Sequence, residues 1–233
     1  MPDNKIRAVI FDMDGTLLNT LADIAHSINS ALQRHGFPTH RTESYRMMVG
    51  FGLRQSVARA IEAGKPLAPD GETGKEVTEE LLDLMAAEAQ AAYAADPVSR
   101  TGFYDGMAGL LTSLADRGIP MAVLSNKPDR LVQLIAQEFL TPWNFRGIVG
   151  ARDGSPRKPD PTTALECAGE MEAEPAEVLF LGDSDIDMIT ARRAGMLAVG
   201  ALWGFRDAEE LWAAGAQTVV NHPEEILSLV NGQ

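Results

Sequence analysis

The stretch Ala-Val-Ile-Phe-Asp-Met-Asp-Gly-Thr, residues 8–16, decides the fold of this chain. Its first four residues are apolar and rich in β-formers, which is typical of a buried strand. Asp12 and Asp14 follow directly, and Gly15 permits a sharp turn of the backbone. Beyond the carboxyl end of a parallel strand, where ligands bind, two carboxylates can hold a hard cation or act as nucleophile and proton carrier. A polar turn at a strand end is the alternative.

Composition narrows the class of protein and of partner. The chain has 233 residues, 45% of them hydrophobic, which suits one large domain or a domain with an insertion. A net charge of −13 disfavours nucleic acids and anionic membranes as partners. The sequence has no long apolar stretch and no signal-peptide core, so we expect no membrane segment. The single cysteine, Cys167, predicts a reducing, cytoplasmic location.

Residues 20–97 have the periodicity of helices. The first predicted helix ends near Gly36, the second ends at Gly64, and residues 65–74 read as a loop. A longer helix ends before Pro97. Its predicted apolar face consists of Val77, Leu81, Leu84, Met85 and Ala92.

From residue 98 onward, predicted helices and strands alternate. The strand candidates are residues 120–124, 147–150, 178–181, 196–202 and 218–220. Such alternation indicates a parallel sheet with helices on both faces. We therefore predict an α/β fold with a doubly wound parallel sheet formed by residues 1–19 and 98–233, into which a helical domain, residues 20–97, is inserted.

Three predicted strands end in polar side chains. These are Asp12 and Asp14, then Ser125-Asn126-Lys127, then Asp183 and Asp187. The ends of parallel strands share one edge of the sheet, so we expect these groups to meet in one crevice. Several carboxylates there repel one another unless a cation joins them. A donor set of oxygens without a histidine or cysteine cluster favours Mg²⁺ over zinc.

Lys158 lies in the segment Arg-Lys-Pro-Asp-Pro, residues 157–161. The two prolines stiffen the loop and restrict the residue before each of them. A lysine held in this way can neutralise a phosphoryl group together with a carboxylate. A solvated surface lysine is the alternative that this segment alone leaves open.

These motifs resemble those of the haloacid dehalogenase superfamily of Mg²⁺-dependent phosphohydrolases. The Asp-x-Asp-Gly-Thr strand end is residues 12–16, and the strand-end Ser/Thr is Ser125. The lysine that often precedes proline is Lys158, and Gly-Asp-x-x-x-Asp is residues 182–187. The Rossmann-like core and the helical insertion resemble the phosphoglycolate phosphatase-like subfamily with its α-helical cap.

The resemblance implies a role for each core residue. Asp12 would attack phosphorus, and Asp14 would protonate the leaving alcohol and then activate water. Ser125 would donate a hydrogen bond to the phosphoryl oxygens, and Lys158 would offset the charge of nucleophile and phosphate.

The resemblance also implies a metal site and further substrate contacts. Mg²⁺ would be held by Asp12, by Asp183 and by Asp14 through its backbone carbonyl, while Asp187 would support metal-bound water or orient Lys158. Thr16 and Asn126 would help to bind the substrate.

In the predicted cap, residues 49–52 form the loop expected to face the catalytic edge. Gly50 and Gly52 permit close approach of the backbone, although a simple connection between helices is the alternative. Arg46 and Arg54 flank the loop and could bind a substrate carboxylate through a forked contact. A solvated helix surface is the alternative for both arginines.

The expected function is hydrolysis of a small phosphomonoester, with 2-phosphoglycolate as the first candidate. A sugar-phosphate mutase similar to β-phosphoglucomutase, and a pyrophosphatase or nucleotidase of the same family, are alternatives. A phosphate-binding protein without catalysis is a third class. The expected partner is a small phosphorylated metabolite, and the expected assembly is a monomer or homodimer.

Overall fold

The computed structural model describes residues 5–64 and 77–230, and the loop predicted at residues 65–74 lies outside them. The chain divides into two compact units. Unit 1 comprises Met1–Asn19 and Gly102–Gln233, and unit 2 comprises Thr20–Thr101. The second boundary therefore follows residue 101, whereas the sequence placed it after residue 97.

Unit 1 is built on a six-stranded sheet in which every neighbouring pair is parallel. The strands of the chain are β1 (Ala8–Phe11), β2 (Leu18–Asn19), β3 (Gly102–Phe103), β4 (Met121–Pro128), β5 (Phe145–Ala151), β6 (Val178–Gly182), β7 (Leu197–Ala201) and β8 (Thr218–Val220). The six-stranded order is β5-β4-β1-β6-β7-β8, with the completely buried β1 near the middle. The predicted doubly wound parallel sheet is confirmed.

Among the described residues, unit 2 contains the helices α1 (Leu21–Arg34), α2 (Leu53–Ala63) and α3 (Glu79–Ala95). Unit 1, which contains the sheet, has the helices α4 (Met107–Asp116), α5 (Asp129–Phe139), α6 (Thr162–Glu170), α7 (Asp185–Ala194), α8 (Ala208–Ala213) and α9 (Ile226–Leu229). Ile10 and Phe180 on the sheet belong to one core cluster with Ala164 and Cys167 of α6 and Met188 of α7. Burial raises the pKa of Cys167 to about 11, as expected for a thiol that packs in a core.

Unit 2 contains α1, α2, α3 and a 3₁₀ helix at Thr42–Met47. Among its described residues no strand occurs, as the sequence predicted. The predicted face of α3 is partly wrong, because Leu84 is 50% exposed. The buried stripe is Leu82, Met85, Ala89 and Tyr93. Alanines lie on several sides of this helix, so the sequence pattern alone did not fix which side is buried.

The two connections of unit 1 to the inserted residues pair with each other. Leu18 and Asn19 form an antiparallel ladder with Phe103 and Gly102. This ladder of β2 and β3 was not predicted, because two-residue strands carry no periodicity. In the part of the chain that the structure describes, no helix is both long and apolar enough to cross a membrane.

Candidate active site

The carboxyl edge of the central strands brings the first and fourth motifs together. Phe11 at the end of β1 pairs with Leu181 of β6 and with Val123 of β4. Asp12 follows Phe11 directly, and its backbone N–H donates to the carbonyl of Leu181 at 2.9 Å. Asp183 follows β6, so the parallel register carries both carboxylates to the same edge.

A tight turn follows Asp12 and requires glycine at position 15. Gly15 has φ +89°, and its N–H donates to the carbonyl of Leu18 at 2.9 Å. A Cβ at this position would lie 2.3 Å from Oδ2 of Asp183. Glycine is therefore needed here for the backbone conformation and for the close approach of Asp183.

Lys158 lies between two buried carboxylates. Its Nζ donates to Oδ1 of Asp12 at 2.8 Å and to Oδ1 of Asp187 at 2.7 Å. All three residues are buried, so the alternative of a solvated surface lysine is wrong. The backbone of the Lys158 loop is bound to β4, because Nδ2 of Asn126 donates a hydrogen bond to the carbonyl of Lys158 at 2.9 Å.

Asp187 is fixed by the start of α7. Its Oδ2 accepts hydrogen bonds from the backbone N–H of Ser184 at 3.1 Å and from the Ser184 hydroxyl at 2.6 Å. The Ser184 side chain in turn caps the helix, which forms a capping box. One oxygen of Asp187 is therefore bound to Ser184 and the other to Lys158. These contacts are compatible with the predicted role of orienting the lysine, and the choice between that role and support of metal-bound water stays a prediction.

Asp183 accepts hydrogen bonds from two residues and packs closely against two glycines. Oδ1 accepts a hydrogen bond from the Thr16 hydroxyl at 3.2 Å, and Oδ2 accepts one from the backbone N–H of Phe205 at 2.7 Å. A Cβ on Gly204 would lie 2.2 Å from the Cβ of Asp183. The loop after β7 therefore closes tightly over this carboxylate.

The electrostatics of the cluster show excess negative charge. Burial raises the pKa of Asp12 to about 7, with Asp187 and Asp14 adding to the rise and Lys158 opposing it. Burial, together with Asp12 and Asp187, also raises the pKa of Asp183. Burial alone would lower the pKa of Lys158, but the carboxylates of Asp12 and Asp187 raise it overall.

The donor set fits a divalent cation. Carboxylate oxygens of Asp12, Asp183 and Asp187 lie within 4.8 Å of one another, and all three residues are buried. Only oxygen donors are present in this group, as Mg²⁺ prefers. A cation bound to these three carboxylates would offset the negative charge that the single ammonium group of Lys158 does not balance. The side chain of Asp14 is not part of this group, and the predicted role of its backbone carbonyl stays a prediction.

Asp14 instead pairs with Lys127. Nζ of Lys127 lies 2.7 Å from Oδ1 and 3.0 Å from Oδ2 of Asp14. The lysine side chain is 4% exposed, and that of Asp14 is 18% exposed. In the sequence, Lys127 stands in the strand-end triplet Ser125-Asn126-Lys127, but the triplet alone predicts no role for it. In a regular strand, alternation would put residues 125 and 127 on the same face, but β4 is irregular between Leu124 and Pro128, so the sequence carried no direct signal for this contact.

The predicted substrate contacts are placed as follows. Ser125 is buried in the second half of β4, three residues before the strand ends, and its hydroxyl accepts a hydrogen bond from the backbone N–H of Lys127 at 3.3 Å. Thr16 is completely buried and donates to Asp183, so the structure shows it supporting a carboxylate. Asn126 supports the backbone of Lys158, as described above. Substrate binding by Thr16 and Asn126 stays a prediction.

The predicted cap residues lie in unit 2. Gly50 and Gly52 both have positive φ, +108° and +89°, so the loop requires their conformational freedom. The guanidinium of Arg54 donates to Asp83 and Glu79 of α3, at 2.5 Å in each case. A forked contact of Arg54 with a substrate carboxylate would compete with these two carboxylates, and it stays a prediction.

Comparison with known proteins agrees with this geometry. The family model described as haloacid dehalogenase-like hydrolase matches residues 9–201. Phosphoglycolate phosphatase 1 of Pseudomonas aeruginosa is 33% identical over 221 residues, which cover 95% of this chain and 78% of that protein. The N-acetylmuramic acid 6-phosphate phosphatase of the same organism is 30% identical over 228 residues, covering 97% and 96% of the two chains.

A solved structure agrees as well. The "predicted phosphoglycolate phosphatase" of Haemophilus somnus 129pt superimposes with a TM-score of 0.84 at 27% identity, covering 96% of this chain and 97% of that one. The chain therefore belongs to the haloacid dehalogenase-like hydrolases, within the phosphoglycolate phosphatase-like subfamily, and is a phosphoric monoester hydrolase.

Proposed function

We propose that this chain is a Mg²⁺-dependent phosphatase that hydrolyses a small phosphomonoester through a phosphorylated Asp12. The observation that carries the proposal is the buried cluster in which Lys158 bridges Asp12 and Asp187 while Asp183 lies alongside. Phosphoryl transfer needs positioning and neutralisation of charge more than covalent chemistry. A carboxylate nucleophile fixed by a buried ammonium supplies both.

In the first step an oxygen of Asp12 attacks phosphorus, and the bond from phosphorus to the ester oxygen breaks. Asp14 gives its proton to that oxygen, so the product leaves as an alcohol. The contact of Lys158 with Asp12 aims the nucleophile and offsets its charge. The hydroxyl of Ser125, in the second half of β4, is the donor we assign to the phosphoryl oxygens.

In the second step water attacks the phosphorus of the phosphorylated Asp12. Asp14 accepts a proton from this water, and the Asp12 carboxylate is released together with inorganic phosphate. Mg²⁺ held by Asp12, Asp183 and the backbone of Asp14 would neutralise charge that develops on the phosphoryl group. The acid and base duties of Asp14 thus balance over one turnover.

For the substrate we propose 2-phosphoglycolate, which the name of the 33% identical Pseudomonas aeruginosa relative supports. N-Acetylmuramic acid 6-phosphate is the second candidate, since the 30% identical relative bears that name. Both are phosphomonoesters of an alcohol that carries a carboxylate. We further propose that unit 2, residues 20–101, acts as the cap that selects between such esters, with Gly50 and Arg54 near the substrate, and that the protein is cytoplasmic.

The test is release of phosphate with and without Mg²⁺. The esters are 2-phosphoglycolate, N-acetylmuramic acid 6-phosphate, a glucose phosphate, a nucleoside monophosphate, pyrophosphate and a chromogenic aryl phosphate. We expect Mg²⁺-dependent turnover, fastest on 2-phosphoglycolate, that Asp12→Asn abolishes. Asp116→Asn is the matched control, because Asp116 is exposed at the end of α4, and it should keep full activity.

The outcomes separate mechanism from substrate. Faster turnover of another ester discards 2-phosphoglycolate but keeps the mechanism. Turnover that survives Asp12→Asn discards the nucleophile. Phosphate release from none of the esters, with the protein folded and Mg²⁺ present, contradicts the phosphatase proposal and favours a mutase or a phosphate-binding protein.

A further inference from the structure

The ion pair between Lys127 and Asp14 joins two neighbouring strands of the sheet. Lys127 belongs to β4, and Asp14 follows β1, which pairs with β4. Nζ of Lys127 contacts both carboxylate oxygens of Asp14, at 2.7 and 3.0 Å. The side chain of Lys127 is 4% exposed, whereas that of Asp14 is 18% exposed.

A lysine with so little exposure is unusual, because a buried ammonium group is costly unless it is paired. It is also anchored near Ser125, whose hydroxyl accepts the backbone N–H of Lys127 at 3.3 Å. The strand therefore fixes the backbone position from which the Lys127 side chain extends. From there the ammonium group reaches the carboxylate of Asp14, whose side chain is the more exposed of the two. A single donor that contacts both oxygens restricts rotation of the carboxylate about its Cβ–Cγ bond.

We propose that Lys127 is the positioning residue for Asp14. It holds the carboxylate in the one orientation from which a proton can pass between Asp14 and the ester oxygen. This inference rests on the proposed function, in which Asp14 protonates the leaving group. Lys127 exchanges no atom with the substrate, so its contribution depends on how much the leaving group needs that proton.

The leaving-group step gives the proposal a specific signature. When the bond from phosphorus to the ester oxygen breaks, an alkyl ester must receive the proton of Asp14 to leave as an alcohol. A nitrophenyl ester can leave as the phenolate and does not need this proton. The value of kcat/KM reports the steps up to the first irreversible one, so it isolates this step from the hydrolysis of phosphorylated Asp12.

The experiment compares Lys127→Met and Lys127→Arg with the unmodified protein on three esters. These are 2-phosphoglycolate, ethyl phosphate and 4-nitrophenyl phosphate. Because positioned proton transfer contributes about 10²–10⁴-fold, we expect Lys127→Met to lower kcat/KM by about 10- to 100-fold on both alkyl esters. The nitrophenyl ester should lose less than about threefold. Lys127→Arg keeps donors for both oxygens and should restore part of the loss.

A double-mutant cycle completes the test. If Lys127 acts through Asp14, then the loss that Lys127→Met causes on ethyl phosphate should disappear once Asp14→Asn is present, whereas an independent role would leave the same further loss. The melting temperature and circular dichroism of each variant identify any that is misfolded. Lys127→Arg then serves as the second variant, and its ratio between alkyl and nitrophenyl esters is read in the same way.

Three outcomes would overturn the proposal. An equal loss on all three esters would make Lys127 a general source of positive charge. A loss confined to 2-phosphoglycolate would make it a ligand for the substrate carboxylate. No loss on any ester would leave it without a part in the reaction. None of these resembles failure of the proposed function, which shows first as absent turnover or as turnover that survives Asp12→Asn.

Discussion

Gly204→Ala should disable the candidate site, although Gly204 lies outside the four catalytic motifs that carry the family resemblance. A Cβ there would lie 2.2 Å from the Cβ and 2.5 Å from Oδ2 of Asp183. The same atom would lie 2.5 Å from the carbonyl oxygen of Gly15. All three distances are below 3.0 Å, which real Cβ contacts essentially never show, so the carboxylate or the loop must move.

The size of this movement sets the expected loss. An ordinary Cβ contact begins at 3.4 Å, so Asp183 must retreat by about 1 Å or the loop must open by as much. Overpacking of this kind costs about 1–3 kcal/mol of folding free energy. A displacement of about 1 Å at a reacting centre costs on the order of 100-fold in rate. We therefore expect kcat/KM to fall about 100-fold. We also expect the Mg²⁺ concentration that gives half-maximal activity to rise.

The assay is phosphate release over a range of Mg²⁺ concentrations, with thermal unfolding measured alongside. The matched control is Gly109→Ala, because a Cβ on Gly109 in α4 meets nothing within 4 Å. That variant should keep full activity and gain about 0.5–1 kcal/mol of stability from helix propensity. Unchanged activity and an unchanged Mg²⁺ requirement in Gly204→Ala would refute the argument that this glycine packs Asp183 into place.

Three further predictions concern charge and hydrogen bonding. Because the pKa of Asp12 rises from 3.8 to about 7 on folding, the folded protein binds this proton more tightly, and metal-free stability should fall as pH rises through that window. Denaturant unfolding at several pH values should show this fall in the unmodified protein, a smaller fall in Asp12→Asn, and its reversal by Mg²⁺. Asp23→Ala removes a buried carboxylate that accepts hydrogen bonds from Arg100 and Thr101, so it should cost about 1.5–3 kcal/mol of folding free energy. A loss below about 0.5 kcal/mol in the same assay would contradict this. Trp203→Phe removes an indole hydrogen bond of 2.9 Å to a backbone carbonyl and should cost about 1 kcal/mol, which the midpoint of unfolding would measure.

Much of the core fold could be predicted because its signals are local. The apolar run at residues 8–11 and the run at residues 178–181 became β1 and β6, since short apolar runs followed by glycine or aspartate leave few alternatives. The parallel register then fixes that Asp12 and Asp183 share an edge. Chemistry at strand ends is thus visible from the sequence once the strands are recognised.

What the sequence did not provide depends on contacts between distant residues. Trp203 binds the backbone carbonyl of Thr16 across 187 positions, and Phe205 binds Asp183 across 22 positions. No spacing rule predicts either contact. The hydroxyl of Thr16 donates to Asp183, a contact that the sequence did not predict, while its role in substrate binding stays a prediction. The sequence places Lys127 in a strand-end triplet, but it does not show which residue Lys127 contacts. Its ion pair with Asp14 is visible only in the folded structure.

The ladder of β2 and β3 has an architectural consequence. Leu18 pairs with Phe103, so the chain leaves unit 1 and returns to it at hydrogen-bonded neighbours. The ladder holds the two ends of any segment inserted there close together, whatever the length of the segment. The entropic cost of closing such a loop grows only slowly with its length. One inserted segment can therefore replace another at the β2-β3 ladder during evolution or engineering. The strands of the six-stranded sheet that precede Asp12 and Asp183 remain unchanged by such a replacement.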